Sequence, residues 1–295
     1  MRLLDTIKSS ADYLEKSGVA DSLVDAEILV LHASGIERLR AYMDNPETDR
    51  RLLSRINRLV KRRAAGEPLQ YITGRIDFLG LEIRVGKGVL IPRPETELLV
   101  EEAMSQVRSK KLEVRSCKNN PSAFNLQPST FLDLCTGSGC IALALAREFP
   151  AAQVYATDVS VKALKYARDN ADCNQIRNIT FLKGPLFTPV AEQMSFDLIT
   201  ANPPYIRTSD ISGLQREIRE WEPLRALDGG EDGLDFYRKI LLKASGHLKE
   251  GGWIFFELGF GQSEAVAEIA GRVGFVNIEL IKDFAGIDRV LKAEK

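Results

Sequence analysis

Asp133-Leu134-Cys135-Thr136-Gly137-Ser138-Gly139-Cys140-Ile141-Ala142-Leu143-Ala144 closes a short apolar run with a glycine turn and continues into a helix-forming segment. Phe131 to Leu134 reads as a strand, and the alanines and leucines after Cys140 read as a helix. Gly137 and Gly139 permit a tight turn and let a ligand approach the backbone where a β-carbon would obstruct it. Such a turn is either a compact strand-to-helix connection or the cradle of a nucleotide-like cofactor. The next strand candidate, Gln153 to Thr157, leads into Asp158, where a carboxylate can accept hydrogen bonds from ribose hydroxyls; the spacing is about 20 residues, as a nucleoside site requires. Together the two features favour that site. They leave the cofactor open, because Gly137-x-Gly139-x-x-Ala142 also satisfies the loose dinucleotide fingerprint of an NAD-dependent oxidoreductase.

Beyond this unit the same alternation continues. Ile179 to Leu182, Phe196 to Thr200 and Trp253 to Glu257 are further strand candidates with helical stretches between most of them, and Ile278 to Ile281 and Arg289 to Lys292 form an antiparallel ending. The pattern predicts a doubly wound α/β fold with a mostly parallel sheet. Upstream, the short β-like runs Phe78 to Val85 and Val89 to Ile91, separated by Gly80, Gly86 and Gly88, read as a β-hairpin joining two domains. Pro92 and Pro94 break the chain, Glu95 to Val107 has helical spacing, and the polar stretch Ser109 to Thr130 reads as a flexible insertion.

The amino-terminal part is helical by period. Leu3, Leu4, Ile7, Ala11 and Leu14 make one apolar stripe with Gly18 as its stop; a second helix opens near Ser22 and ends near Gly35; Thr48 is the expected cap of a third, which buries Leu52, Ile56, Leu59 and Val60. The third helix also carries Arg50, Arg51, Arg55, Arg58, Lys61, Arg62 and Arg63. These read first as a solvated face and second as the candidate contact for nucleic acid or an acidic partner.

At 295 residues the chain has room for a catalytic domain and a smaller companion. A formal net charge of -1 excludes a whole-chain electrostatic grip on nucleic acid and leaves any such contact to a local basic face. With 44% apolar and 27% charged residues and no apolar run long enough to span a bilayer, a soluble protein is expected. Two histidines, His32 and His247, exclude a multi-histidine metal site and argue against a Ser-His-Asp triad, so no metal is expected. Cys117, Cys135, Cys140 and Cys173 form no C-x-x-C pair, and no signal peptide precedes Gly18, which together suggest the cytoplasm.

What separates the cofactor readings is Asn202-Pro203-Pro204-Tyr205, placed directly after the strand candidate Phe196 to Thr200. Strand carboxyl ends of an open α/β sheet face the ligand crevice, so this tetrapeptide belongs beside the cofactor. Two prolines stiffen the turn and hold the Asn202 side chain and the Pro203 carbonyl in fixed directions. Both are acceptors, suited to the two N–H bonds of a planar NH2 group, and Tyr205 offers that group an aromatic wall.

These residues resemble the Asn-Pro-Pro-Tyr amino-methyltransferases and, within them, the protein-(glutamine-N5) methyltransferases that act on peptide chain release factors. Asp25-Ala-Glu27, Gly66-Glu-Pro-Leu-Gln-Tyr71, Ile91-Pro-Arg-Pro-Glu-Thr-Glu97 and Trp221-Glu-Pro223 extend the resemblance over nearly the whole chain, and the run from Ile91 to Glu97 is its most specific part. The resemblance implies an S-adenosyl-L-methionine-dependent enzyme with a seven-stranded methyltransferase sheet, an N-terminal helical substrate-docking domain over residues 1–70, a hairpin linker over 71–92 and a catalytic domain over 93–295. It implies that Cys135, Thr136, Gly137, Ser138 and Gly139 wrap the methionine part of the cofactor, that Asp158 holds the ribose, that Leu186 packs near adenine, and that Asn202, Pro203, Pro204 and Tyr205 bind substrate and carry catalysis. Cys135 stands where relatives usually have glycine. Pro185 stands where an acidic residue is common, which leaves the polar contact to adenine to a main-chain group.

The substrate implied is a release factor met by a monomer, without a membrane and without an expected nucleic-acid contact. A nucleic-acid exocyclic-amine methyltransferase remains the alternative, since Asn-Pro-Pro-Tyr is shared with such enzymes. An oxidoreductase gives that tetrapeptide no task, and a non-catalytic adaptor gives none to Asp158 and Asn202.

Overall fold

A computed structural model describes residues 1–116 and 129–295, with residues 111–116 described by their helical backbone alone. The chain forms two compact units: one made of residues 1–75, 85–87 and 214–222, the other of residues 76–84, 88–213 and 223–295.

In the first unit, α1 (Leu3–Lys16), α2 (Ser22–Ser34) and α4 (Arg50–Ala64) pack together, with α3 (Arg38–Asp44) and α5 (Leu69–Thr73) as short additions. Leu3, Ile7 and Leu14, Leu29 and Val30, and Ile56 and Val60 face inward at helical spacing. Burying each such aliphatic side chain contributes about 1.5–3 kcal/mol, so the stripes, rather than helix propensity, hold the bundle. Gly35 ends α2 in the left-handed conformation (φ 69°). The cap of α4 is Asp49, whose side chain accepts from the Leu52 N–H at 2.7 Å. Thr48, expected in that role, instead shares a buried hydroxyl pair with Thr6 (3.1 Å), so a long-range contact displaces it by one position. α9 (Arg216–Trp221) lies in the first unit, although the chain before Leu214 and after Glu222 belongs to the second. Arg63 joins it to the bundle through Glu217 (2.6 Å) and Asp25 (2.5 Å).

The hairpin consists of β1 (Arg75–Phe78) and β2 (Leu81–Arg84). Its turn is Leu79-Gly80, both at positive φ (49° and 73°), the mirror-image turn that matches strand twist. Of the three glycines marked in the sequence, Gly80 makes the turn, and Val89 to Ile91 is loop rather than a strand.

The second unit is a seven-stranded sheet in the order β5-β4-β3-β6-β7-β9-β8. β3 (Thr130–Leu134), β4 (Gln153–Asp158), β5 (Ile179–Lys183), β6 (Phe196–Ala201) and β7 (Leu248–Glu257) run parallel. β9 (Asp288–Glu294) is antiparallel to both β7 and β8 (Val276–Lys282). The fold is the doubly wound, mostly parallel sheet that the alternation predicts, with the seven strands that the resemblance implies. Helices α6 (Pro94–Ser116), α7 (Cys140–Glu148), α8 (Val161–Cys173), α10 (Asp235–His247) and α11 (Ser263–Arg272) accompany it. Proline begins α6, where its missing N–H costs nothing. That helix continues beyond Val107 and takes in the first part of the stretch expected as an insertion; residues 117–128 of that stretch lie outside the described residues, and its last residue, Thr130, begins β3. The sheet core includes Phe196, Ile199, Tyr237, Ile254 and Phe256, all fully or almost fully buried.

Strand order reverses between β3 and β6. That switch point opens a crevice at the carboxyl ends of the strands.

Candidate active site

Parallel register decides which side chains meet in the crevice. Leu134 pairs with Thr157 and with Ala201, and Ala201 pairs with Phe256. One residue further along, Cys135, Asp158, Asn202 and Glu257 follow these partners at adjoining strand ends. The four positions are far apart in sequence, and sheet pairing alone aligns them.

Cys135, Asp158 and Asn202 border an open cavity, and Glu257 lies behind Asn202. Cys135, Thr136, Gly137, Ser138, Asp158, Leu186, Asn202 and Pro204 line the cavity. Gly139, Pro203 and Tyr205 do not. Gly139 caps α7 at φ 83°, and a Cβ there would meet the Ala167 Cβ at 3.0 Å, so this glycine serves close helix packing. Gly137 (φ 55°) has nothing closer than 3.9 Å to an added Cβ, which leaves its backbone open to a ligand.

Asp158 ties the turn to the sheet. Its Oδ2 accepts from the Gly137 N–H (2.9 Å) and its Oδ1 from the Ser160 N–H (2.7 Å). Each carboxylate oxygen has capacity for a second donor, so the same group remains available to hydroxyls in the cavity. Burial raises its pKa, against the Ser160 and Gly137 N–H bonds and the positive charge of Arg225, which favour the ionised form. Arg225 lines the cavity from the short 3₁₀ turn Leu224–Ala226, and sequence reasoning missed it.

Beneath the turn Asp133 is fully buried and accepts from the Thr200 hydroxyl at 2.9 Å. Burial pushes its carboxyl up to about 7. The hydroxyls of Thr136 and Thr157, both on the cavity wall, are buried without a hydrogen-bond partner among the described residues. Cys135 holds φ 59°, a conformation natural to glycine and strained for a residue with a side chain.

On the opposite wall Asn202 is held by a residue that the sequence did not single out. Its Nδ2 donates to Glu257 Oε2 (2.7 Å) and lies 3.3 Å from Thr96 Oγ1. Thr96 donates to the same carboxylate oxygen at 2.6 Å, and the Tyr205 hydroxyl donates to Oε1 at 3.1 Å. Glu257 is 2% exposed. Burial raises its pKa, while the bonds from Thr96, Tyr205 and Asn202 stabilise the carboxylate. Tyr205 thus reaches behind Asn202 with its hydroxyl, and burial raises its own pKa far above that of a free phenol. The available signal for Glu257 was its place at the carboxyl end of an apolar strand, the same place that marks Asp158.

Residues 5–74 match the family described as PrmC N-terminal domain, and residues 121–218 match the Methyltransferase small domain. A release factor glutamine methyltransferase of Thermodesulfovibrio yellowstonii is 47% identical over 92% of this chain and 92% of its own length. The chain belongs to the release factor glutamine methyltransferases. Another member, from Geobacter sulfurreducens, is 43% identical over 95% of this chain and 92% of its own. A crystal structure of a methyltransferase from Pyrococcus furiosus superposes with a TM-score of 0.50 at 20% identity, covering 82% of this chain and 98% of that one, and supports the fold alone.

Proposed function

We propose that the chain transfers a methyl group from S-adenosyl-L-methionine to the side-chain amide nitrogen (N5) of a glutamine in peptide chain release factors. The observation that carries this reading is the orientation of Asn202. Because its NH2 group is committed to Glu257, its Oδ1 is the atom left to accept from a substrate. An acceptor fixed beside a cofactor cavity suits the NH2 of an amide.

The residues of the cavity fit the cofactor. A Gly137 backbone that no side chain crowds, a carboxylate with spare acceptor capacity and the apolar side chains of Leu186 and Val159 match a molecule with amino-acid, ribose and adenine parts. Cys135 to Ser138 would take the methionine part, Asp158 the ribose and Leu186 the adenine, while Gly139 lets α7 pack closely behind them. When bound, the cofactor supplies an electrophilic methyl on a sulfonium, which moves to nitrogen and leaves a thioether.

An amide nitrogen is a weak nucleophile because its lone pair is delocalised into the carbonyl. Asn202 Oδ1 and the Pro203 carbonyl, by accepting the two N–H bonds, hold the nitrogen in line with the methyl and stabilise positive charge as it develops there. The extra proton leaves from nitrogen toward these acceptors and then to solvent. Pro204 stiffens the turn, and Tyr205 acts through Glu257. The helical unit docks the release factor, and the enzyme works as a monomer in the cytoplasm without holding nucleic acid. No described helix is long and apolar enough to cross a membrane.

Incubation with labelled S-adenosyl-L-methionine and purified release factor, followed by mass mapping, tests the reading. Label on a glutamine is expected, and Asn202→Ala should abolish it while cofactor affinity stays within a few-fold. Label on nucleic acid alone, or normal turnover by Asn202→Ala, would overturn it.

A further inference from the structure

A carboxylate is acceptor-only, so every group bonded to it must donate. Three side chains converge on Glu257: Thr96 and Asn202 on Oε2, and Tyr205 on Oε1. Asn202 and Tyr205 belong to the Asn-Pro-Pro-Tyr turn, Thr96 to the first turn of α6, and Glu257 to the end of β7. With Glu257 ionised the network has one solution. The Asn202 amide cannot turn over, because Oδ1 would then face carboxylate oxygen at hydrogen-bonding distance. Two acceptors pressed together in a site 2% exposed would leave both without a proton between them.

From this we infer that Glu257 is a positioning residue that sets the selectivity of the site: it locks Asn202 with its oxygen toward the substrate, and the enzyme therefore accepts an amide and refuses a carboxylate. The inference rests on the reading of Asn202 as acceptor of the substrate NH2. A glutamine offers two N–H donors to the locked oxygen. A glutamate side chain offers none when ionised, and its charge would meet the Asn202 oxygen head-on. Neutralising Glu257 removes the lock, since a glutamine in its place can donate as well as accept, and Asn202 then presents either end of its amide.

The consequence is specific. A change that merely loosened the fold would weaken binding of cofactor and of both side chains together. Loss of the lock instead trades amide recognition for carboxylate recognition. Thr96 provides the contrast, because Thr96→Val deletes one bond to Glu257 and leaves the carboxylate still acceptor-only toward Asn202.

The experiment uses the whole enzyme and two short peptides spanning the target glutamine, one native and one with glutamate in its place. Glu257→Gln should lower kcat on the native peptide about tenfold, the difference between a charge-assisted and a neutral hydrogen bond, with cofactor Kd within about twofold. In the same variant the glutamate peptide should become a competitive inhibitor, while the unaltered enzyme should remain uninhibited by it. Thr96→Val should turn over more slowly and still refuse the glutamate peptide. If Glu257→Gln keeps both turnover and refusal, while Asn202→Ala is inactive, the inference falls and the reading of Asn202 stands. Normal turnover by Asn202→Ala removes both. Should Glu257→Gln fail to fold, Glu257→Met, which also removes the acceptor-only group facing Asn202, decides: inhibition by the glutamate peptide supports the lock, and refusal retained overturns it.

Discussion

Asp133 gives the sharpest physical prediction. Its carboxyl is fully buried under the glycine turn, with its Oδ1 bonded to Thr200 and its Oδ2 without a hydrogen-bond partner among the described residues. Burial lifts its pKa from 3.8 to about 7. The folded protein therefore keeps a proton that the unfolded chain releases, and stability falls as pH rises across that window. At roughly 1.4 kcal/mol per pH unit the whole window costs about 4 kcal/mol, of which about 2.5 kcal/mol lies between pH 5 and pH 8. Asp133→Asn keeps an oxygen for Thr200 and has no charge to bury. Its stability relative to the unaltered protein should accordingly improve by about 2–3 kcal/mol between about pH 5 and about pH 8. Urea unfolding without cofactor, followed by Trp253 of β7 in a Trp221→Phe background, reads this from the sheet unit itself. A difference between the two proteins that does not change with pH, or that moves the other way, would refute the argument that Asp133 is buried at the expense of its charge.

Two further outcomes follow from local strain and buried charge. Cys135→Gly should stabilise the protein by up to about 1 kcal/mol, because a left-handed residue with a Cβ costs about 1–2 kcal/mol and the entropy of glycine returns part of that. Urea unfolding measures it, and a net loss would mean that the thiol's packing outweighs the backbone strain. Arg63→Met should destabilise the helical unit by about 3 kcal/mol, since it leaves Asp25, 5% exposed, without its 2.5 Å partner. Trp221 fluorescence in a Trp253→Phe background reads that unit, and a loss under about 1 kcal/mol would show that the ion pair contributes little.

Much of the sheet is legible in the sequence because its strands are short apolar runs bounded by polar loops and glycines. Phe131 to Leu134 and Phe196 to Thr200 each fall within a residue of the observed element. The hairpin is legible through Gly80, but its strands are not: β1 begins at Arg75, ahead of the apolar run, and the turn needs Leu79 at a positive φ that its side chain gives no cause to expect. Arg63 reads as one of a row of exposed arginines, yet it is tied to Asp25 and Glu217, 38 and 154 residues away. Arg62 likewise bonds Glu67, while Arg50, Arg51, Arg55, Arg58 and Lys61 are exposed as the solvated-face reading expects. A residue's own helix cannot announce partners brought to it by the fold.

The same limit explains Glu257, and it points to a more general signal. Asp158 terminates β4, Asn202 follows β6 and Glu257 terminates β7, each a polar residue closing an apolar strand. In a parallel sheet all such ends lie on one edge, so these residues converge without any local motif to join them. Register then fixes which ones touch. Because Ala201 pairs with Phe256, Asn202 meets Glu257, and a slip by one residue would place Phe256 there and turn Glu257 to the other face. The Asn-Pro-Pro-Tyr turn thus supplies the acceptor, but the direction in which that acceptor points is decided by the pairing of β6 with β7. Selectivity for an amide belongs to the sheet as much as to the motif.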